Sequence, residues 1–278
     1  MDIRRTTTFL VSVLVVLLTQ TACTSVSSSV EGKSNDIENK IPVLMYHGIL
    51  TDEEKQLRPD NSSYITADSF EKQMKYLKEN GYHTVTVDEM RHFLAGEMQL
   101  PRKSVMIQFD DGLRSVYRYA YPIMKEHNLD GVANIITRRT YRDYGDKWDP
   151  SRNQYMDKEM LNRISDVFEL QSHTNKLHFN RSEREKSDFL WKSDEEVLSD
   201  LRKSKDRLSE YGNVTLFAYP FGQYNSESKN LLEDVGITMA FTTEHGYVKS
   251  SDDPYELKRI GITPSTSFKD FKDIMEEK

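Results

Sequence analysis

From Ile41 onward the chain alternates short apolar runs with amphipathic stretches, and this alternation restricts its possible folds more than any other feature. Val43–Tyr46, Thr84–Val87, Ser104–Phe109, Val132–Ile136, Val167–Leu170, Val214–Tyr219, Thr238–Phe241 and Arg259–Ile262 read as strands, rich in β-branched, aliphatic and aromatic residues. Between the first two runs, Asp68–Asn80 carries Phe70, Met74 and Leu77 at spacings of four and three, one apolar helical face with Gly81 just past its end. Helices are also predicted over Asp88–Ala95, Val116–His127, Asp157–Ser165, Asp194–Tyr211, Ser226–Val235 and Phe268–Glu277. Asn180–Ser193 reads as a charged loop with an apolar tip at Phe189-Leu190-Trp191. Alternation of this kind implies a mainly parallel sheet with helices outside it. Seven or eight such units predict an α/β architecture closed, or nearly closed, into a barrel. An open doubly wound sheet is the alternative, weakened because no glycine-rich phosphate loop follows the first strand.

The first forty residues follow a different pattern. Arg4 and Arg5 precede an apolar run, Phe9–Leu18, broken only by Ser12, and Thr19-Gln20-Thr21-Ala22-Cys23 follows. A basic start, a short apolar core and small residues before a cleavage point are the parts of a secretory signal. The run is shorter than the roughly 20 apolar residues of a permanent span. The placement of Cys23, the chain's single cysteine, resembles a bacterial lipoprotein signal, although Gln20 stands where leucine is usual. The expected division is a signal over 1–22, a flexible tether over 23–40, rich in Ser, Asn, Glu and Lys, and one folded domain over 41–278. A lipid on Cys23 would make the membrane a partner and place the domain outside the cytoplasm, at the cell membrane. An ordinary signal cleaved near Ala22 would release a secreted protein instead. One cysteine excludes both an intramolecular disulfide and a cysteine-based zinc site. A net charge of −7 argues against nucleic acid as a partner, and no protein partner is evident.

Four polar clusters each follow directly on an apolar strand. They are Tyr46-His47-Gly48, Asp110-Asp111-Gly112, the run Ser172–His178, and Tyr219-Pro220-Phe221-Gly222. In a parallel barrel the carboxyl ends of all strands open on one face, where active sites sit. The clusters should therefore converge although they are spread from residue 46 to residue 222. Taken singly each is weak, since Asp-Asp-Gly is a common turn and a His pair at a spacing of five recurs by chance. Together, Asp111, His173 and His178 supply a carboxylate and two imidazoles with open positions for water, a set suited to catalytic zinc or a related divalent ion, cobalt or nickel included. His83, His92 and His127 fall at a strand start or on helix surfaces, while His245 follows a strand on the proposed active face and stays in reserve.

FDDG at 109–112, SHT…H at 172–178 and YPFG at 219–222 resemble the polysaccharide deacetylases of carbohydrate esterase family 4, the NodB-type domain, over residues 41 to 265. The resemblance implies a distorted (β/α) barrel of about seven parallel strands. It implies that Asp110 is the general base and that Asp111, His173 and His178 bind the metal. Three departures stand out. The histidines are five apart rather than four, Ala218 replaces the arginine that orients the base, and no Leu-x-x-His lies near the carboxyl end. With the early VLMYHGI, these are similar to the branch that deacetylates poly-N-acetylglucosamine, where the acid is the histidine corresponding to His47. The implied activity is metal-dependent hydrolysis of N-acetyl groups from an extracellular N-acetylhexosamine polymer, with acetate released. Tyr46, Tyr219, Phe221 and Trp191 are expected to contact sugar, and the Phe221 N–H to hold the oxyanion. Peptidoglycan or another cell-wall glycan as substrate, a non-catalytic glycan-binding lipoprotein, and an iron oxygenase on the same His/carboxylate set are the alternatives.

Overall fold

The structure is a computed structural model that describes residues 40–180 and 185–277. The expected signal, Cys23 and nearly all of the tether lie outside these residues, and Lys40, assigned to the tether, opens the first strand. Seven strands form the barrel: β1 (Lys40–Tyr46), β2 (Ser104–Phe109), β3 (Gly131–Ile135), β4 (Phe168–Ser172), β5 (Leu216–Ala218), β6 (Met239–His245) and β7 (Leu257–Gly261). Each pairs in parallel with the next, and β7 returns to β1 through Leu44↔Ile260, so the sheet closes. The barrel expected from the alternation is the one observed. Strand β2 is buried along its whole length, as a parallel strand covered on both faces must be.

Side-chain parity sorts the barrel into layers. Ile41, Val43, Met106, Val132, Leu216, Met239, Phe241 and Leu257 pack together inside it. The alternate residues, such as Leu44, Ile107, Phe109, Ile135 and Phe217, face the surrounding helices instead. Among these helices are α1 (Ala67–Glu79) and, later in the chain, a long helix over Asp194–Leu208. Helix α2 (Val87–Leu94) closes the amino end of the barrel with Val87, Met90 and Phe93. Following β2 inward from Met106, the next two positions are Gln108 and then Asp110, just beyond the strand. Apolar packing therefore gives way to polar groups towards the carboxyl ends, where the four clusters lie.

At three places the structure departs from the sequence pattern. Thr84–Val87 is β-branched but only His83–Thr84 pairs as strand. Thr86 instead caps α2, its hydroxyl accepting from the Glu89 N–H while the Glu89 carboxylate accepts from the Thr86 N–H. Val116–His127 is a π-helical segment over Val116–Ala120 joined to an α-helix over Tyr121–His127, with Pro122 just past the junction. The loop over 180–193 contains a single helical turn, Asp188–Trp191, that buries Phe189.

After His47 the chain forms a small parallel pair, Gly48–Leu50 with Tyr64–Thr66. A Cβ on Gly48 would lie 1.9 Å from the Tyr64 ring. That ring is held by a hydrogen bond from its hydroxyl to Asn153 at 2.9 Å and by the Arg58 guanidinium 4.5 Å above it. Gly48→Ala should therefore cost about 1–3 kcal/mol of stability through overpacking, read as a lower midpoint in chemical denaturation.

Candidate active site

Register brings the first two clusters together. Tyr46 pairs with Phe109, and the Asp110 N–H donates to the Tyr46 carbonyl at 2.9 Å, so His47 and Asp110 leave the barrel side by side. Asp110 is only 2% exposed. Its Oδ1 accepts from the Arg259 guanidinium at 2.8 Å and from the Asn134 amide at 2.8 Å. Arg259 and Asn134 both also donate to Gln108 Oε1, at 3.1 and 3.2 Å, and the Arg259 Nε–H donates to the Thr242 carbonyl at 2.8 Å. Burial alone would raise the Asp110 carboxyl, but the Arg259 charge, with His173 and His47, holds it well below the usual carboxylate range. Both donors meet at Oδ1, which leaves Oδ2 to take a proton.

Asp111 turns the other way. Its backbone is left-handed, φ 76°, and Gly112 continues the turn at φ 75°. Its Oδ1 lies 4.0 Å from His173 Nε2 and 3.8 Å from His178 Nε2. The three ligand atoms lie within 4.8 Å of one another. His173 Nδ1 is 2.7 Å from the Ala218 carbonyl, an acceptor only, so that nitrogen carries the hydrogen and Nε2 presents its lone pair to the cluster. Burial pushes the His173 imidazole down despite Asp110 and Asp111 beside it, and burial together with His173 pushes His178 down to about 3. Both rings are therefore neutral at neutral pH, as metal ligands must be. Asp111 Oδ1 is buried with no hydrogen-bond partner, a carboxylate oxygen that a cation would satisfy. These residues fit a divalent metal.

The loop after β4 carries both histidines and is fastened from the side. The Asn175 and Lys176 N–H groups donate to the Asp200 carboxylate, at 2.7 and 2.9 Å, and Leu177 is buried between the two ligands. Thr174 adopts φ 71° to make the turn. Opposite, Pro220–Gly222 forms a 3₁₀ turn with Phe221 at φ 58°. The Phe221 ring is 43% exposed and lies 4.5 Å from the His178 ring. A recess of about 300 Å³ is lined by Asp111, His178, Phe221, Arg139, Tyr155 and Phe179, among others.

The structure thus joins Asp111, His173, His178 and Phe221, with Asp110 and His47 adjoining. Two expected sugar contacts are corrected. Tyr46 is 1% exposed, stacked on Phe109 at 5.2 Å with its hydroxyl donating to Gln73 at 2.8 Å, and Tyr219 is buried among Phe217, Phe189 and Tyr224. Neither can present its ring to a glycan. Trp191 is 57% exposed but outside the lining of the recess. His245 is exposed at the end of β6, its Cα beside that of Arg259. His83, His92 and His127 pair with carboxylates away from the cluster.

Residues 97–240 match the family model described as polysaccharide deacetylase. The chain belongs to the polysaccharide deacetylase family. A poly-beta-1,6-N-acetyl-D-glucosamine N-deacetylase of Staphylococcus aureus is 28% identical over 201 residues, 72% of this chain and 68% of that protein. IcaB from Ammonifex degensii superposes with a TM-score of 0.72 at 26% identity, over 86% of this chain and 96% of that one. Streptococcus pyogenes deacetylase PplD, solved with acetate, superposes with a TM-score of 0.74 at 24% identity, over 86% and 99%. The chain is accordingly a hydrolase, a polysaccharide deacetylase.

Sequence reasoning missed Arg259. Ala218 occupies the place of the family's orienting arginine, and β7 supplies a guanidinium to the same carboxylate from elsewhere. The available signal was parity: Leu257 and Arg259 face the same way on one strand, so an inward Leu predicts an inward Arg. Arg259→Met should leave Asp110 buried and unpaired, costing about 3–5 kcal/mol of stability. The sign for catalysis follows from removing the lowering charge. In the native chain Asp110 stays ionised, and the stability of its pair is lost only as pH falls below the unfolded value of about 3.9. In the variant burial dominates and the carboxyl pKa rises, so the acid limb of the pH–rate profile should move upward.

Proposed function

We propose that this deacetylase hydrolyses the N-acetyl groups of an extracellular N-acetylhexosamine polymer, poly-N-acetylglucosamine first among candidates, using a divalent metal, zinc or its substitutes cobalt and nickel. The observation that carries this reading is the pairing of roles at adjacent residues: Asp110 is held ionised by Arg259 and Asn134, while Asp111 turns away towards His173 and His178. The Staphylococcus relative's name supports the choice of polymer. A binding protein without catalysis would have no need of Arg259, whose burial costs free energy unless it serves the carboxylate.

Bound by Asp111, His173 and His178, the metal would supply Lewis acidity, acidifying a water and polarising the acetamide carbonyl. Asp110 Oδ2 accepts the water's proton as the C–O bond forms. The Phe221 N–H, in the first residues of a 3₁₀ turn where no intrahelical acceptor exists, donates to the oxyanion. His47, leaving β1 next to Asp110, gives a proton to the departing nitrogen as the C–N bond breaks. Acetate and a glucosamine unit, cationic at neutral pH, are the products. The exposed Phe221 ring offers a stacking face at the lip.

Acetate release from β-1,6- and β-1,4-linked N-acetylglucosamine oligomers tests this. Chelation should abolish release and zinc, cobalt or nickel should restore it. Asp110→Asn should lose at least about 10³-fold in rate while binding metal normally, and His47→Ala about 10²–10⁴-fold. Activity retained in Asp110→Asn would refute its role, and an equal loss in His245→Ala alone would move the acid there.

We further propose that the domain is tethered outside the cell through a lipid on Cys23. Metabolic labelling with a lipid precursor should mark the wild type and not Cys23→Ala; an unlabelled wild type would leave it a secreted protein.

A further inference from the structure

A groove of about 1500 Å³ adjoins the metal cluster and shares His178, Arg139, Tyr155 and Phe179 with the recess over it. One wall is the segment after β3, from Ile136 to Tyr144; the other is one face of the helix Asp194–Leu208, with Glu196, Asp200, Lys203 and Arg207. The groove exceeds the roughly 300–1,000 Å³ of ordinary small-molecule pockets and suits a stretch of polymer.

Its charge is opposite to that of the chain. Seven cationic side chains line it against four acidic ones, in a protein of net charge −7. Most of the acids are already engaged. Asp200 is buried and accepts from two backbone N–H groups, Glu196 caps its helix and pairs with Lys192 at 2.8 Å, and Asp143 accepts from the Gly145 N–H. Of the four, only the Glu195 side chain has no hydrogen-bond or ion-pair partner among the described residues. Of the cations, Arg139 lies over Tyr155, Arg207 over Tyr141, and Arg152 pairs with Asp149. Arg138, Arg142, Lys176 and Lys203 are exposed, and none has an ion-pair partner among the described residues.

We propose that this groove is a subsite for acidic substituents, carboxylate or phosphate groups carried on the glycan beside the N-acetylated unit. The proposal rests on the deacetylase reading above. Uncompensated cations raise the local concentration of an anionic polymer and do nothing for a neutral one. Each deacetylation also adds an ammonium, which the same cations repel. A neutral homopolymer thus becomes a ligand the groove expels, while an acidic glycan becomes a zwitterion that it still holds.

The test uses a fluorescent β-1,6-linked N-acetylglucosamine oligomer in three forms: unmodified, O-succinylated and O-phosphorylated. Binding is read by anisotropy on the wild-type chain in EDTA, which prevents turnover, and on Asp110→Asn with zinc. At low salt both acidic forms should bind at least tenfold tighter than the neutral one. The difference should shrink in about 0.15 M salt, where the Debye length is about 8 Å. Arg138→Gln/Lys203→Gln should weaken the acidic forms roughly three- to tenfold, the effect of two exposed charges, and leave the neutral form's affinity unchanged. Comparing the two acidic forms identifies carboxylate or phosphate as the preferred group. Equal affinity for all three forms, no binding of any, or equal weakening of all three by the double variant would overturn the proposal. Acetate release separates this from failure of the parent reading: selective acidic binding without release from any form would sink the deacetylase assignment and leave the groove as a polyanion site.

Discussion

The buried contact between Asp110 and Arg259 governs this barrel's interior. Arg259 enters from β7 and meets a carboxylate at the end of β2, reaching past β1, which lies between those strands. One ion pair therefore ties the last barrel strand to the second across the closing seam. Burying two charges is costly unless geometry and extra hydrogen bonds compensate. Gln108, Asn134 and the Thr242 carbonyl supply those bonds. Moving any of these side chains would leave a charge or an amide stranded in a low dielectric. The network thus fixes where Asp110 points and, because Asp111 is its neighbour, where the metal cluster begins.

The backbone accepts strain to complete that cluster. Asp111, Thr174 and Phe221 all lie in the left-handed region, at a cost of about 1–2 kcal/mol for each residue bearing a Cβ. All three fall within the polar clusters at the strand ends. Nearby contacts hold the turns in place. The Thr137 N–H donates to the Thr174 carbonyl at 3.1 Å, and the Ser172 and Ser204 hydroxyls meet at 2.8 Å below it. A Cβ on Gly222 would strike Thr243, its side chain at 2.1 Å and its backbone N at 2.6 Å, so the turn after Phe221 depends on glycine. Strain at three places on one rim, each over-determined by its surroundings, is what a preorganised site requires.

How much of this the sequence discloses depends on the range of the interaction. Barrel strands and most helices are legible because burial on both faces leaves continuous apolar runs, as in SVMIQF, and because one-sided burial leaves the helical spacing of Phe70, Met74 and Leu77. The convergence of Asp111, His173 and His178 is legible because all three follow strand ends. The exposure of an aromatic ring is not. Tyr46 and Tyr219 stand in the right clusters, but strand parity turns both outward beneath the helices and away from the rim. Arg259 lies 149 residues from Asp110, and nothing local distinguishes it from a surface arginine. Thr84–Val87 fails for the opposite reason: a capping hydrogen bond of three residues' reach overrides its β-branched composition.

The groove and the Asp111, His173 and His178 cluster meet at Arg139. Its guanidinium covers the Tyr155 ring at 4.4 Å and donates to the Tyr155 hydroxyl and, at 3.4 Å, to the His178 carbonyl. Its charge adds to burial and to His173 in keeping the His178 imidazole neutral. The segment after β3 thus holds the ligand loop from one side while Asp200 holds it from the other. Both anchors also line the groove. The loop that carries His178 and the groove beside it are therefore built on the same two anchors, Arg139 and Asp200.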